Sequence, residues 1–232
     1  MGKTGARIEQ VEYLIKEYLK TQSPKVIVIE GFSFVPIADK HIKVLANWSF
    51  DSFNLSLNKI EAILNTTEKN KINHIFPLFE YHERWKKLKK KDFVFYNKVL
   101  ELNKGWVIVN KEKKSDKWFD NDFSDIKEIR KINETEEKSL ENIIKICKKK
   151  NIKLFIVTLP YKNQLGFNAL EMVKVNNYLE ENYKEDLIIL DLNKKYKELK
   201  VNSSEFVDDG HLNQKGAYKY SKYVAEFLKG KI

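Results

Sequence analysis

Three short apolar runs, each preceded by a stretch with helical spacing, recur along the chain. They are "KVIVIEG" at residues 25–31, "KLFIVTLP" at residues 153–160 and "DLIILDL" at residues 186–192. Short runs of aliphatic and β-branched residues without polar alternation are typical of strands that are buried on both faces, as in parallel sheets. The alternation of such strands with helices predicts an α/β domain with a mostly parallel sheet.

The stretches between these runs return their apolar residues to one face, as amphipathic helices do. This spacing predicts helices at residues 6–20, 136–149, 169–182 and 214–229. Cys147 lies on the apolar stripe of the second helix, which predicts a buried small hydrophobic residue rather than a nucleophile. The inner stripe of the last helix is predicted to comprise Ala217, Tyr220, Val224, Phe227 and Leu228.

Residues 35–134 differ from the rest because they are rich in Asn, Lys and aromatic residues. They contain helix-like stretches around 55–65 and 78–91, and "KGWVIVNKE" at 104–112, which is typical of an edge strand or a hairpin arm. A chain of 232 residues with 42% hydrophobic residues can bury one sizeable core. We therefore predict a single domain over residues 1–232, with residues 35–134 as a helical insertion.

The order of elements at the start of the chain is unusual for an open α/β sheet. Such a domain ordinarily begins with a strand that lies in the middle of the sheet, whereas this chain begins with an amphipathic helix. We therefore expect a first strand and its loop to be absent from the chain as given. A sheet that lacks a central strand exposes an edge, through which a second copy of the chain can pair.

The net charge is +10 and the isoelectric point is about 9.3, which raises the question of nucleic-acid binding. The lysines are spread along the whole chain, and no zinc-finger, basic-zipper or RNA-recognition signature accompanies them. Nucleic acid is therefore not an expected partner, and an anionic polymer or anionic lipid headgroups suit the charge equally well. No paired-histidine motif predicts a metal site, and no Gly-rich phosphate loop predicts a nucleotide cofactor.

Ligands of open α/β sheets bind beyond the carboxyl ends of the strands. The loops there span residues 30–33, 158–161, 191–193 and 206–213, and the last has the richest chemistry. Histidine is the side chain suited to proton transfer near neutral pH, and Asp208 can turn back to hold one ring nitrogen of His211. Asn213 is predicted to cap the last helix. The alternative is a surface turn, with His211 as a bystander.

The block "FVDDGHLNQKGAYKYSKYVAEFL" at residues 206–228 resembles the C-terminal block of SGNH (GDSL-like) hydrolases and acyltransferases. More narrowly, the chain is similar to a bacterial cell-envelope group of DltD- and AlgX-type proteins. The resemblance also involves the segments at residues 23–31, 50–63, 75–93, 151–161 and 187–193. It implies a three-layer, flavodoxin-like fold and a location outside the cytoplasm.

The resemblance also implies a mechanism. Asp208 would orient His211, which would activate a serine to attack an ester, and the acyl group would pass to water or an alcohol. Gly5 is the candidate for a backbone oxyanion donor. The chain departs from the family because the N-terminal block with the nucleophile is absent. Ser33 follows a strand in a different block, so we assign it a structural or substrate-loop role.

The implied substrate is an acylated carbohydrate or another cell-envelope polymer, with a membrane-bound acyltransferase as a partner. The insertion adds His82 and Arg84 as candidate substrate-binding residues, although the same segment can instead pack Tyr81, Trp85 and Leu88 on the sheet. Two hypotheses result. The protein is an SGNH-like esterase or O-acyltransferase, or it is a catalytically inactive accessory module that binds an anionic polymer or a partner protein.

Overall fold

The structure, a computed structural model, describes residues 6–35, 50, 53–67, 70–76, 78–79, 82, 84–89, 123–161, 169–208 and 210–232. Its sheet consists of three parallel strands, β1 (Val26–Glu30), β2 (Lys153–Thr158) and β3 (Ile188–Asp191), which are neighbours in that order. The predicted α/β class with a parallel sheet is thereby confirmed for this part of the chain.

Five of the seven helices in the described residues fall where the apolar periodicity predicts them, and the short helices α3 and α6 were not predicted. Their bounds are α1 Ile8–Tyr18, α2 Leu57–Thr66, α3 Lys71–Ile75, α4 Glu134–Lys149, α5 Ala169–Tyr183, α6 Tyr196–Leu199 and α7 Gln214–Lys229. Short 3-10 turns occur at Gly31–Phe34, Arg84–Lys87, Leu192–Lys195 and Ser203–Glu205. Of the helix predicted at 78–91, the longest described piece is the turn at Arg84–Lys87.

The starts of α4 and α7 are fixed by side chains that satisfy free backbone amides. Asn133 accepts from the Glu136 amide at 3.0 Å, and the Glu136 carboxylate accepts from the Asn133 amide at 3.0 Å. Asn213 accepts from the Gly216 amide at 3.1 Å, which confirms it as the cap of α7. Such caps stabilise a helix by about 1 kcal/mol each.

β2 is buried on both faces and divides the core. Leu154 and Ile156 pack into a cluster with α1 and α4, where the predicted burial of Cys147 is confirmed. Phe155 and Val157 pack into a second cluster with the inner stripe of α7. Full burial of such a side chain stabilises the fold by about 1.5–3 kcal/mol, so the central strand anchors helices from both sides.

One expectation about β1 is wrong. The strand is not buried on both faces, because it lies at the edge of the described sheet and Val28 is 46% exposed. β1 and β2 are hydrogen-bonded directly over the register from Val26–Lys153 to Glu30–Val157, and β2 and β3 are also paired directly. The absence of a first strand from the chain stays a prediction.

The described part of the predicted insertion packs on the α/β core at both of its ends. Near its start, Asn58 of α2 donates to the Tyr13 carbonyl at 3.2 Å and to Glu17 at 2.9 Å, which fixes α2 against α1. Near its end, Asn177 of α5 donates to the carbonyls of Ile126 and Glu128, at 2.9 Å each. The strand predicted at 104–112 lies outside the described residues.

Among the helices of the described ranges, none has the length and apolar character needed to cross a bilayer.

Candidate functional site

A hairpin at residues 206–212 places Asp208 and His211 next to each other. Phe206 and Leu212 form an antiparallel bridge, and the Val207 amide donates to the His211 carbonyl at 2.8 Å. Phe206 is fully buried in the cluster that also contains Val157 of β2. The base of the hairpin is therefore tied to the core near the carboxyl end of the central strand.

The imidazole of His211 is held by the Asp208 carboxylate. Its Nδ1 lies 2.9 Å from Oδ1 and 3.0 Å from Oδ2 of Asp208. A carboxylate can only accept hydrogen bonds, so Nδ1 carries the hydrogen in this contact. In the neutral ring Nε2 is then a proton acceptor, and the His211 side chain is 72% exposed, which leaves Nε2 open to an incoming hydroxyl group.

Asp208 is fixed by its own turn as well as by the histidine. Its Oδ1 accepts from the backbone amides of Gly210 and His211, at 2.9 Å each. Partial burial acts to raise the pKa of this carboxyl, but the Gly210 amide and the His211 side chain outweigh it and hold the pKa below its usual value. Asp208 is therefore a carboxylate that stays ionised while it orients the imidazole.

The hairpin rests on a buried carboxylate at its base. Glu205 accepts from Lys219 of α7 at 2.7 Å and from the hydroxyl of Tyr220, and its carbonyl accepts from the Asn213 amide at 3.0 Å. A β-carbon on Gly216 would lie 2.2 Å from the same carbonyl. The first turn of α7 therefore approaches the hairpin at a distance that only glycine allows.

Ser33 does not complete this arrangement. It is buried in the 3-10 turn Gly31–Phe34 that follows β1, and no hydrogen bond joins it to His211. In the described part of the chain, no serine hydroxyl is hydrogen-bonded to the imidazole. The structure therefore brings together the predicted acid–base pair, but it does not bring Ser33 to that pair.

A second polar cluster lies at the carboxyl ends of the three strands. The amide nitrogen of Asn176 on α5 donates to Thr158 Oγ1 at 2.9 Å and to Asp191 Oδ2 at 2.7 Å. Asp191 also accepts from the Asn193 backbone amide at 2.9 Å. Two of the four loops that the sequence indicates for ligand binding thus meet in one buried network, which joins β2, β3 and α5.

Glu30 completes this cluster from the end of β1. Its Oε2 accepts from the Phe32 amide at 2.6 Å, whereas Oε1 is buried without a hydrogen bond. The Leu159 amide also lies near the carboxyl group. Burial and the nearby Asp191 raise the pKa of Glu30 to about 7, against the effect of the two amides. Burial likewise raises the pKa of Asp191. Near neutral pH, Glu30 is therefore divided between its protonated and ionised forms.

The remaining predicted site residues lie away from both clusters or outside the described residues. The Nδ1 of His82 lies 2.7 Å from the Phe79 carbonyl, and the side chain is exposed. Arg84 belongs to the turn Arg84–Lys87, but its side chain lies outside what is described, as does Gly5. Leu88 is exposed, so the alternative in which it packs on the sheet is wrong.

A groove of about 340 Å³ lies beside α5, where Ile126, Asn177 and Lys194 contribute to its walls. None of the residues that the sequence indicates as catalytic or substrate-binding lines this groove. Among the described residues, no group of three or more His, Cys, Asp or Glu side chains is placed to hold a metal ion.

No protein-family model, no curated protein and no solved structure matches this chain.

Proposed function

We propose that the protein is an SGNH-like esterase or O-acyltransferase, with a three-layer, flavodoxin-like arrangement, that acts on ester-linked acyl groups of a cell-envelope polysaccharide or a related polymer. The proposal includes a location outside the cytoplasm and a membrane-bound acyltransferase as a partner. The observation that carries it is the hydrogen bond from His211 Nδ1 to Asp208, with Nε2 exposed. Aspartate and histidine in this geometry are the acid–base part of a serine ester hydrolase.

In the proposed reaction, Nε2 of His211 takes the proton from a serine hydroxyl as that oxygen bonds to the ester carbonyl carbon. The same nitrogen then returns the proton to the departing alcohol, which leaves an acyl-serine. Asp208 stays ionised throughout and stabilises the imidazolium that forms. The serine is the one that the resemblance places in the N-terminal block, which the chain as given lacks, and the acyl group finally passes to water or to an acceptor hydroxyl.

The test is hydrolysis of p-nitrophenyl acetate by the purified chain and by a His211→Ala variant. We expect the variant to lose at least about a hundredfold in rate, which is the low end of the contribution of a general base. Lys150→Ala is the control, because it removes an exposed side chain at the end of α4 that has no proposed role in the reaction, and it should leave the rate unchanged. Equal loss in both variants, or no loss in either, would contradict the proposed role of His211.

The second candidate function is a catalytically inactive module that binds an anionic polymer or a partner protein. Two observations favour it: no serine is hydrogen-bonded to His211 in the described residues, and the chain carries a net charge of +10. It predicts no hydrolysis by any variant, together with retention on an immobilised anionic polysaccharide. That retention should weaken with salt and should be the same for wild type and His211→Ala.

A further inference from the structure

Exposed apolar side chains are concentrated in one region of the molecule. Of thirteen large apolar side chains that are exposed in the described residues, eight lie between residues 55 and 88. Single exposed apolar residues are ordinary on protein surfaces, but a contiguous group marks an interaction site. The eight are Leu55, Leu57, Leu64, Ile72, Phe76, Leu78, Phe79 and Leu88, and we refer to them as the insertion surface.

Hydrogen bonds and a ring contact connect part of this surface, from α2 to the segment after α3. Lys71 Nζ donates to the Leu64 carbonyl at 2.7 Å, which joins the two helices. Ile72 and Phe76 lie one helical turn apart, and the Phe76 amide donates to the Ile72 carbonyl at 2.8 Å. The rings of Phe76 and Phe79 are 6.2 Å apart in an edge-to-face arrangement. Leu64, Ile72, Phe76 and Phe79 are therefore neighbours along this surface and not isolated points.

The surface is held at a fixed place on the α/β core. Asn65 of α2 donates to the Tyr13 hydroxyl at 2.6 Å, in addition to the two bonds that Asn58 makes with α1. Ala62 and Ile63 of α2 are fully buried beside Tyr13. The apolar face of α2 that packs on α1 is thus already occupied, and Leu57 and Leu64 belong to the opposite, outward side.

The charge of the same segment is strongly positive. Residues 70–91 contain six lysines and one arginine against two glutamates, a formal charge of +5. Lys86, Lys87 and Lys89 are exposed and directly flank Leu88. Leu, Ile and Phe side chains beside a cluster of lysines are typical of elements that lie in a membrane interface and bind anionic lipids. Protein interfaces, by contrast, are depleted in lysine.

We propose that the insertion surface docks the protein onto an anionic lipid bilayer. The apolar side chains enter the interfacial layer, and the lysines contact lipid phosphates. The inference does not rest on the proposed ester chemistry, because none of its residues belongs to the Asp208–His211 hairpin.

The test is co-sedimentation of the whole chain with lipid vesicles. One set contains phosphatidylcholine alone, and the other contains about a quarter phosphatidylglycerol, enough for a negative surface potential. We expect binding to the anionic vesicles that weakens with added salt and is much weaker with the neutral ones. A Leu78→Ser, Phe79→Ser variant should bind about tenfold more weakly, because the apolar area available for burial is smaller.

Two control variants test whether binding depends on the insertion surface itself. One removes an exposed apolar side chain elsewhere, and the other changes a charge elsewhere. Tyr218→Ser removes a side chain on α7 that is 69% exposed, close to the 76% of Leu78, and should bind as wild type does. Lys87→Glu should weaken binding more than Lys150→Glu, which makes the same charge change at the end of α4. All five substituted positions are exposed, so the variants are expected to fold.

Three results would overturn the proposal. The first is wild-type binding to neither vesicle, and the second is a Leu78→Ser, Phe79→Ser variant that binds as wild type does. The third is a wild-type dimer in light scattering that becomes a monomer in that variant, which would assign the insertion surface to contacts between copies of the chain.

Discussion

Glu30 and Asp208 are carboxyl groups in opposite environments, and the contrast explains how this fold can hold two different kinds of polar site. Glu30 lies at the end of β1 with one oxygen buried and unpaired, and burial raises its pKa to about 7. Asp208 lies in an exposed hairpin, where hydrogen bonds lower its pKa despite partial burial. Burial favours the neutral acid at the first position, and donors favour the carboxylate at the second.

Because of this difference, we expect the cluster around Glu30 to affect stability and the Asp208–His211 hairpin to affect reactivity. Hydrogen bonds from Asn176 join β2 and β3 to α5, and Glu30 lies close enough for Asp191 to raise its pKa, so the protonation of this cluster is linked to folding. The Asp208–His211 pair lies in a hairpin whose base is tied to the core, and the His211 side chain is 72% exposed. Changes in the cluster should therefore alter unfolding, whereas changes at the tip of the hairpin should alter reactivity.

The largest effect on stability is expected at the base of the hairpin, from Gly216→Ala. The new β-carbon would lie 2.2 Å from the Glu205 carbonyl oxygen, and a backbone atom cannot rotate away. We expect the free energy of unfolding to fall by about 3 kcal/mol, at the upper end of the range for overpacked sites. Chemical denaturation, followed by circular dichroism, measures this free energy of unfolding.

Gly230→Ala is the matched control for that change. Its β-carbon would come no closer than 3.6 Å to the atoms around it, an ordinary van der Waals contact, so stability should hardly change. If Gly216→Ala also left stability unchanged, α7 would not approach the Glu205 carbonyl as closely as described. The base of the hairpin would then not be rigid, and the contrast between the hairpin and the Glu30 cluster would lose its support.

The next prediction is that protonation of Glu30 makes the free energy of unfolding depend on pH. Its pKa is raised from the usual 4.5 to about 7 in the folded protein, so between these values the folded state binds more protons than the unfolded state. Stability should therefore fall as the pH rises through this window, by up to about 3 kcal/mol, and then level off. Glu30→Gln should abolish most of this fall, as measured by urea unfolding at pH 4.5, 6 and 8.

Glu141→Gln changes an exposed glutamate on α4 and is the control, which should keep the wild-type pH dependence. A Glu30→Gln protein whose stability still falls from pH 4.5 to 7 would assign the effect to another group in the cluster, with Asp191 as the first to examine because burial also raises its pKa.

The sequence predicts the described elements well because their signals are local. The strands at β1, β2 and β3 and the helices α1, α4, α5 and α7 follow from apolar periodicity, and the cap at Asn213 follows from residue type alone. The contact between Asp208 and His211 also lies within one loop of four residues, so spacing was enough to suggest it. Its catalytic role stays a prediction.

The features that the sequence did not predict depend on contacts between distant segments. Glu30 and Asp191 lie near each other because β1 and β3 both pair with β2. The sequence of a single strand does not determine which strands are its neighbours. The same order makes β1 an edge strand, so its continuous apolar run indicated more burial than it has. The sequence did place residues 30–33, 158–161 and 191–193 at one edge of the sheet, which was the signal that could have found the cluster.

A smaller loss of stability is expected from Asn176→Ala in the cluster. The Asn176 amide nitrogen is a buried donor shared by Thr158 and Asp191, and its removal leaves both acceptors with one partner fewer. The expected cost is about 2 kcal/mol, measured by thermal unfolding. Asn182→Ala removes one bond to a carbonyl within the same helix and should cost less than about 1 kcal/mol. Equal losses would mean that the cluster adds nothing beyond ordinary helix contacts.

The smallest effect on stability is expected from Asp208→Asn. The amide oxygen of asparagine can still accept from the backbone amides of Gly210 and His211, and the side chain is 45% exposed. The free energy of unfolding at neutral pH should therefore change by no more than about 0.5 kcal/mol, as is usual for exposed pairs. Thermal unfolding of Asp208→Asn and Glu30→Gln under the same conditions compares the contributions of the two carboxyl groups to stability.

The same variant should behave differently in two other measurements. The lowered pKa of Asp208 means that its contribution to stability is present above the usual value of 3.8 and is lost as the pH falls below it, which is opposite in sign to Glu30. In an assay of ester hydrolysis, Asp208→Asn should slow the reaction much more than it lowers stability, because an amide cannot stabilise the imidazolium. If the variant instead unfolded as easily as Gly216→Ala, the tip of the hairpin would be part of the structural core, and the separation between a stabilising cluster and a reactive hairpin would not hold.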